Sequence, residues 1–357
     1  MAALDEWGTL AHDTHGQLEE TGAAVSALDA ARAAAERLEL PFPPGVARNV
    51  AICGMGGSAI AGDLIASAYR ERLRAPIATV RDYHLPGWVG EDTLAILASY
   101  SGNTEETLTS AMQATERAAL CVGITSGGKL GAFYGAQGVP MVGVPEGIQP
   151  RAALIHMLVP MLVVLSRMGV LPPLDEELDE ARATLERAVA SYGPDAPRAE
   201  NGAKLLAEAL KGTVPLVYGA ELTSAVARRW KTQLNENAKT PAFWSELPEL
   251  DHNEIVGFES PDAFGPLAQI VMLGDPRQHR QVQRRLDLTA ELVEPRVKGV
   301  LRVTAEGTGA LARMLDLVLL GDYVSIYLAC LRGLDPGPVE MIERLKERLA
   351  TTGYGRA

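Results

Sequence analysis

Short continuous apolar runs recur along this chain, each closed by a Gly, Ser or Thr turn and usually followed by a helical stretch. In the first half they read NVAIC, IATV, LAILAS, ALCVGIT and VPMVGV. Their lack of in-and-out alternation suits strands of a parallel sheet covered by helices on both faces. The rhythm resumes with VPLVYG, a helix over LTSAVARRWKTQLNENAK, a strand at AQIVMLG, a charged helix from about 279 to 293 and a strand at GVLRV. An apolar helix over about 308–332 and an amphipathic one in PGPVEMIERLKERLA complete the pattern. The expectation is an α/β protein whose halves share one strand-turn-helix plan, linked by helices over 151–168 and 175–211 that break at LPPLDEE and YGPDAP. Residues 16–39 carry apolar spacings of three and four, which predict an amphipathic helix ahead of the first core, available to cover a neighbour's surface.

A chain of 357 residues exceeds what one core usually supports, so two domains are expected. A net charge of -12 argues against wrapping a nucleic acid backbone or an acidic membrane, and leaves room for a local pocket that takes one phosphate. Cys53, Cys121 and Cys330 sit in apolar surroundings without paired spacing and read as small buried hydrophobes in a reducing compartment. The start MAALDEWGTLAHDTHG has no signal pattern, and the run AALIHMLVPMLVVL is too short and interrupted to span a bilayer, so a cytoplasmic protein is expected.

Two loops carry chemistry. In GMGGSA, residues 54–59, glycines let backbone N–H groups approach an anion at a helix start, although they also simply permit a tight turn. As a dinucleotide fingerprint the loop is weak, because the acid at the end of the second strand, Asp82, comes late and follows Arg81. In LAILASYSGNTEETL an apolar strand ends in Ser99, Ser101, Gly102, Asn103 and Thr104 before a helix. These polar side chains can cap the helix, or the hydroxyls and exposed N–H groups can surround a phosphate without a cation. Nothing resembles the GxxxxGK[ST] nucleotide loop.

The pairing of GMGGSAIAGD with SYSGNTEET, followed by PRAAL, NENAKTPAF and DHNEIVGF, resembles the bifunctional phosphoglucose/phosphomannose isomerases built from two sugar isomerase (SIS) domains. The resemblance implies two doubly wound, flavodoxin-like SIS domains with parallel sheets flanked by helices. Their expected bounds are 46–170 and 212–334, with a helical extension at 1–45, a helical linker at 171–211 and a C-terminal helix and tail at 335–357. It also implies a homodimer, without cofactor or metal, that interconverts aldose and ketose 6-phosphates. Carried over by residue, Gly56, Gly57 and Ser58 would surround the sugar, and Ser99, Ser101 and Thr104 its phosphate. Arg151 would face the reacting carbons, Glu236 would be the base, His252 would open the ring from across the dimer interface, and Lys346 would lie near the substrate.

These residue types suit that chemistry. Moving a carbonyl between C1 and C2 needs one base that takes a proton from carbon and returns it to the neighbour, and partial burial adapts a carboxylate such as Glu236 to the task. Asn235 and Asn237 around it suggest that its helix stops at a site. A guanidinium that keeps its proton, Arg151, steadies charge growing on the substrate oxygens. Histidine titrates in the range useful for ring opening, and Asp251, Asn253 and Glu254 are placed to orient His252. His12, His15, His84, His156 and His279 form no complete metal-ligand set. The family's use of mannose goes with a polar side chain near the start of the C-terminal helix; this chain reads DPGPVEM there, without a hydroxyl, so the mannose epimer stays open. A sugar-phosphate sensor without turnover, and a dinucleotide-dependent oxidoreductase, are the alternatives.

Overall fold

The structure, a computed structural model, describes residues 3–351. Its first half holds β1 (Asn49–Cys53), β2 (Ile77–Val80), β3 (Thr93–Ala98), β4 (Leu120–Thr125) and β5 (Met141–Gly143), parallel throughout in the order β2-β1-β3-β4-β5. The second holds β6 (Val214–Ala220), β7 (Phe243–Leu247), β8 (Ala268–Gly274) and β9 (Gly299–Thr304), parallel in the order β7-β6-β8-β9. Every expected strand is present, and β7 is an addition. It is an edge strand with Phe243 and Glu246 exposed, so it has no buried run to betray it in the sequence.

Helices α1 (Trp7–Leu10), α2 (Gln17–Gly22) and α3 (Ala24–Glu36) precede the first sheet, and α4 (Gly56–Ala68), α5 (Glu105–Glu116) and α6 (Gly128–Gln137) connect its strands. Next come α7 (Leu154–Arg167), α8 (Asp175–Tyr192) and α9 (Gly202–Leu210). The second half adds α10 (Leu222–Glu236), α11 (Arg280–Val293) and α12 (Ala310–Leu331), and α13 (Glu340–Thr351) follows. The tail at 352–357 and residues 1 and 2 lie outside the described residues.

Because strand residues alternate between faces, each sheet feeds two cores. Val50 and Ile52 of β1 point inward, as do Val217 of β6 and Val271 of β8, into one apolar core filled by α3, α4, α7, α8, α9, α10 and α12. Ala51 and Cys53 point outward, under α5 and α6, while Leu216 and Tyr218 point outward, under α11. Helix α12 is mostly apolar and buried from Leu311 to Cys330, with Arg313, Asp316 and Asp322 paired inside to Asp275, Tyr192 and Arg229. It has the length and apolarity of a membrane span, yet its surroundings are this chain's own α8, α9 and α10.

Two expectations need correcting. The helices over 175–211 are more than a link, because Leu178, Ala181 and Leu185 of α8 and Ala203, Ala207 and Leu210 of α9 lie in the central core beside α12. The helix expected over 16–39 is broken at Ala23 into α2 and α3, and Leu28, Ala31 and Ala35 of α3 pack on α7 of the same chain. It covers its own core.

Candidate active site

Both glycine-serine loops lie at the C-terminal ends of neighbouring strands of the first sheet, where the register pairs Cys53 with Leu97. Open parallel sheets place ligands at this edge. Gly56, Gly57 and Ser58 form the first turn of α4. A Cβ on Gly57 would stand 2.9 Å from the carbonyl oxygen of Pro150, so its absence lets the loop lie against the segment that carries Arg151. Asp82, the acid a dinucleotide would need, accepts from the N–H groups of Tyr83 and His84 within its own turn.

In the second loop Thr104 occupies the N-cap position of α5, yet its side chain makes no capping bond. Its Oγ1 shares a hydrogen bond of 2.9 Å with Oγ of Ser99, which is 2% exposed. The side-chain Oδ1 of Asn103 accepts from the N–H of Lys129 in α6, and Ser101 is exposed. Gly102 has φ +65° and its missing Cβ makes room for the carbonyl of Gly127, so no other residue fits without moving that turn. The hydroxyl of Tyr100 donates to the Pro145 carbonyl and accepts from the N–H of Ile148, fastening this loop to the segment before Arg151.

Arg151 stands just ahead of α7 and is only 4% exposed, so it is no solvated helix start. Its Nε donates to Oδ1 of Asn237, and its Nη2 donates to the carbonyls of Pro336 at 2.6 Å and Gly337 at 2.5 Å. Nη1 has one long contact, 3.5 Å to Oε1 of Gln149, which leaves donor capacity for an oxyanion. Burial pulls the Arg151 pKa down, opposed by the charges of Glu236, Glu20 and Asp335.

Glu236 is the last residue of α10, half-buried, with Asn237 at the C-cap. Asn237 is 1% exposed and bridges Arg151 to Oγ of Ser325, while Asn235 donates to the Thr240 carbonyl. The asparagines therefore end the helix at this cluster, as their composition suggested. Lys239, inside the same NENAK motif but not singled out from the sequence, donates Nζ to the carbonyls of Glu236 and Pro336. Burial, then the charge of Arg151, pushes its pKa down to about 8.

Two expected residues stand apart. Lys346 is exposed on α13 and makes no hydrogen bond or ion pair with this cluster; the lysine found there is Lys239. His252 is exposed in a 3-10 turn after β7, on the side of α11, and bonds to none of the other residues. The neighbours expected to orient it are engaged elsewhere. Asp251 accepts from Arg285 and Thr289, Asn253 donates to Glu249, and Glu254 accepts from Tyr218.

Residues 46–129 match the SIS domain family, and residues 199–349 match the family described as Bacterial phospho-glucose isomerase C-terminal SIS domain. The chain is 42% identical over 303 residues to the bifunctional phosphoglucose/phosphomannose isomerase of Caldicellulosiruptor bescii, covering 85% of this chain and 89% of that protein. It is 38% identical to the protein of the same name from Aquifex aeolicus, over 85% and 90% of the two chains. Among solved structures, a glucose-6-phosphate isomerase like protein from Thermus thermophilus has a TM-score of 0.63 at 23% identity, covering 96% of this chain and 100% of that one, a likeness of fold. Identity of this degree over most of the chain's length, on two parallel sheets with both loops at one sheet edge, means that the chain belongs to the bifunctional phosphoglucose/phosphomannose isomerase family.

Proposed function

We propose that this protein interconverts glucose 6-phosphate and fructose 6-phosphate by carrying one proton between C1 and C2 through an enediolate. The observation that carries the reading is the meeting of the two halves: a buried guanidinium before α7 and a carboxylate at the end of α10, joined through Asn237 and set near a hydroxyl-lined loop. Ser99, Ser101, Thr104 and the first N–H groups of α5 would hold the phosphate, and Gly56, Gly57 and Ser58 the sugar. Glu236 would take the proton from C2 or C1 and return it to the other carbon. Arg151, unable to give up its own proton, would hold the growing negative charge with the donors of Nη1. Mannose 6-phosphate is a second substrate to be tested beside these two.

The reading extends to a homodimer in which His252 of one protomer opens the ring in its partner's site. Its support is that His252 stands exposed and away from Glu236, and that Met341, Leu345 and Leu349 form an exposed apolar row on α13 that a second copy would cover. Three free, buried thiols suit a reducing compartment, so the cytoplasm is the proposed location, with glycolysis and gluconeogenesis as the pathways served. The deciding experiment is a coupled assay for glucose 6-phosphate formed from fructose 6-phosphate, on chelator-treated protein, with Glu236→Gln in parallel. Turnover lost only in the variant supports the reading. A folded parent that binds the sugar phosphate without turnover would instead favour the sensor.

A further inference from the structure

The stretch HDTH, residues 12–15, lies ahead of both sheets, and among the described residues no group of three or more His, Cys, Asp or Glu is placed to hold a metal. Its side chains bear on the turn at 335–337. Thr14 Oγ1 donates to Oδ2 of Asp335, and His15 Nδ1 lies 2.7 Å from the same oxygen. The other carboxylate oxygen of Asp335 accepts from the N–H of Gly337 at 2.8 Å. The His15 side chain packs so closely on this turn that a Cβ on Gly337 would fall 2.4 Å from its own Cβ. Pro336 and Gly337 are the residues whose carbonyls hold Nη2 of Arg151.

A second arm reaches the same guanidinium from α2. The Asp13 carboxylate accepts from the N–H groups of Gln17 and Leu18, fixing the start of that helix. Gln17 Nε2 donates to Glu20 Oε2, and Glu20 Oε1 accepts from the N–H of Gln149, the residue whose side chain lies beside Nη1. The extension thus supports Arg151 both through the Pro336 and Gly337 carbonyls and through Gln149.

We infer that residues 13–20 are a positioning element of the active site: Thr14 and His15, acting through Asp335, hold the two carbonyls that aim the Arg151 guanidinium. The inference rests on the reading of Arg151 as the cation at the reacting carbons. If the Asp335 carboxylate is removed, Arg151 keeps its charge and its bond to Asn237, but the two carbonyls that hold its Nη2 lose their anchor. The loss falls on the chemical step, because an electrostatic partner helps only when it is already in place as charge develops. The phosphate loop at 99–104 has its own bonds and is untouched.

The test is steady-state kinetics on the full chain with fructose 6-phosphate, for Asp335→Ala and His15→Ala, each alone and combined with Arg151→Lys. Asp335→Ala is expected to lower kcat about tenfold or more with KM within about twofold, since small misplacements of a catalytic group are costly. With Arg151→Lys already present, the same change should cost less than about twofold, because residues acting through one another are not additive. A general structural role would give the same factor in both backgrounds, and that result, or an unchanged kcat, overturns the inference. Should Asp335→Ala fail to fold, the half-exposed His15→Ala carries the same expectations. Full activity in Arg151→Lys would sink the reading of Arg151 together with this inference; loss there with none in the turn variants sinks this inference alone.

Discussion

Nε of Arg151 donates to Oδ1 of Asn237 at 2.5 Å, a bond that ties the residues ahead of α7 to the end of α10. Asn237 also donates to Ser325 on α12 at 2.9 Å, so one buried amide serves the cation and the central core together. Asn237→Ala leaves a buried guanidinium N–H without its acceptor and takes away the amide donor to Ser325, whose hydroxyl keeps its bond to the Asp322 carbonyl. The expected cost is roughly 1–3 kcal/mol in denaturant unfolding, with kcat falling and KM little changed. An unaltered kcat would mean that the bond does not aim the guanidinium.

Glu236→Gln keeps the shape of the side chain and removes the base. We expect kcat to fall by about 10²–10⁴. Exchange of the C2 proton of glucose 6-phosphate with deuterated water, followed by NMR, should fall by the same factor. Exchange that persists would assign the base elsewhere.

The phosphate loop predicts the opposite split. Ser99→Ala should raise KM for fructose 6-phosphate about tenfold or more, the worth of a hydrogen bond to a charged group, with a smaller change in kcat. Gly102→Ala should weaken substrate binding as well as the fold, since its Cβ would collide with the Gly127 carbonyl. Equal binding by the parent and Ser99→Ala, measured by calorimetry, would remove the phosphate from this loop.

Lys239 ties stability to pH. Burial pushes it down to about 8 from 10.5, so between those values the unfolded chain binds more protons and stability rises with pH. Below about 8 the cost of holding the Lys239 charge beside Arg151 is fully present. Relative to the parent, Lys239→Gln should therefore look more favourable at pH 7 than at pH 10 in denaturant unfolding, and a difference that does not change with pH would contradict the shift.

If His252 is lent across a dimer, two inactive variants should complement each other. Mixing His252→Ala with Glu236→Gln under conditions that exchange subunits should restore roughly a quarter of parental activity, because half of the dimers are then mixed and each holds one intact site. No recovery, with exchange verified, would place His252 in its own protomer's site or outside the chemistry.

Much of the fold was legible because its strands are continuous apolar runs with turn residues behind them. The edge strand β7 was not, since a half-solvated strand shows no such run. Among site residues, Arg151 and Glu236 converge as the motifs implied, and Asn237 was hinted at by two asparagines at a helix end. Asp335, Lys239 and the carbonyls of Pro336 and Gly337 left no comparable signal. A backbone acceptor has no letter in the sequence, and contacts such as His15 with Asp335 span 320 positions. His252 and Lys346 show the reverse, motif matches that the fold of one chain leaves apart from the rest.

The apolar core between the two sheets also decides how this protein can fail. Arg151 and Glu236 stand at the ends of segments that pack into one continuous core shared by the two sheets, so their placement depends on that core staying intact. On heating, the alignment cannot slacken ahead of the fold, and catalysis should vanish at the temperature where the native circular dichroism is lost.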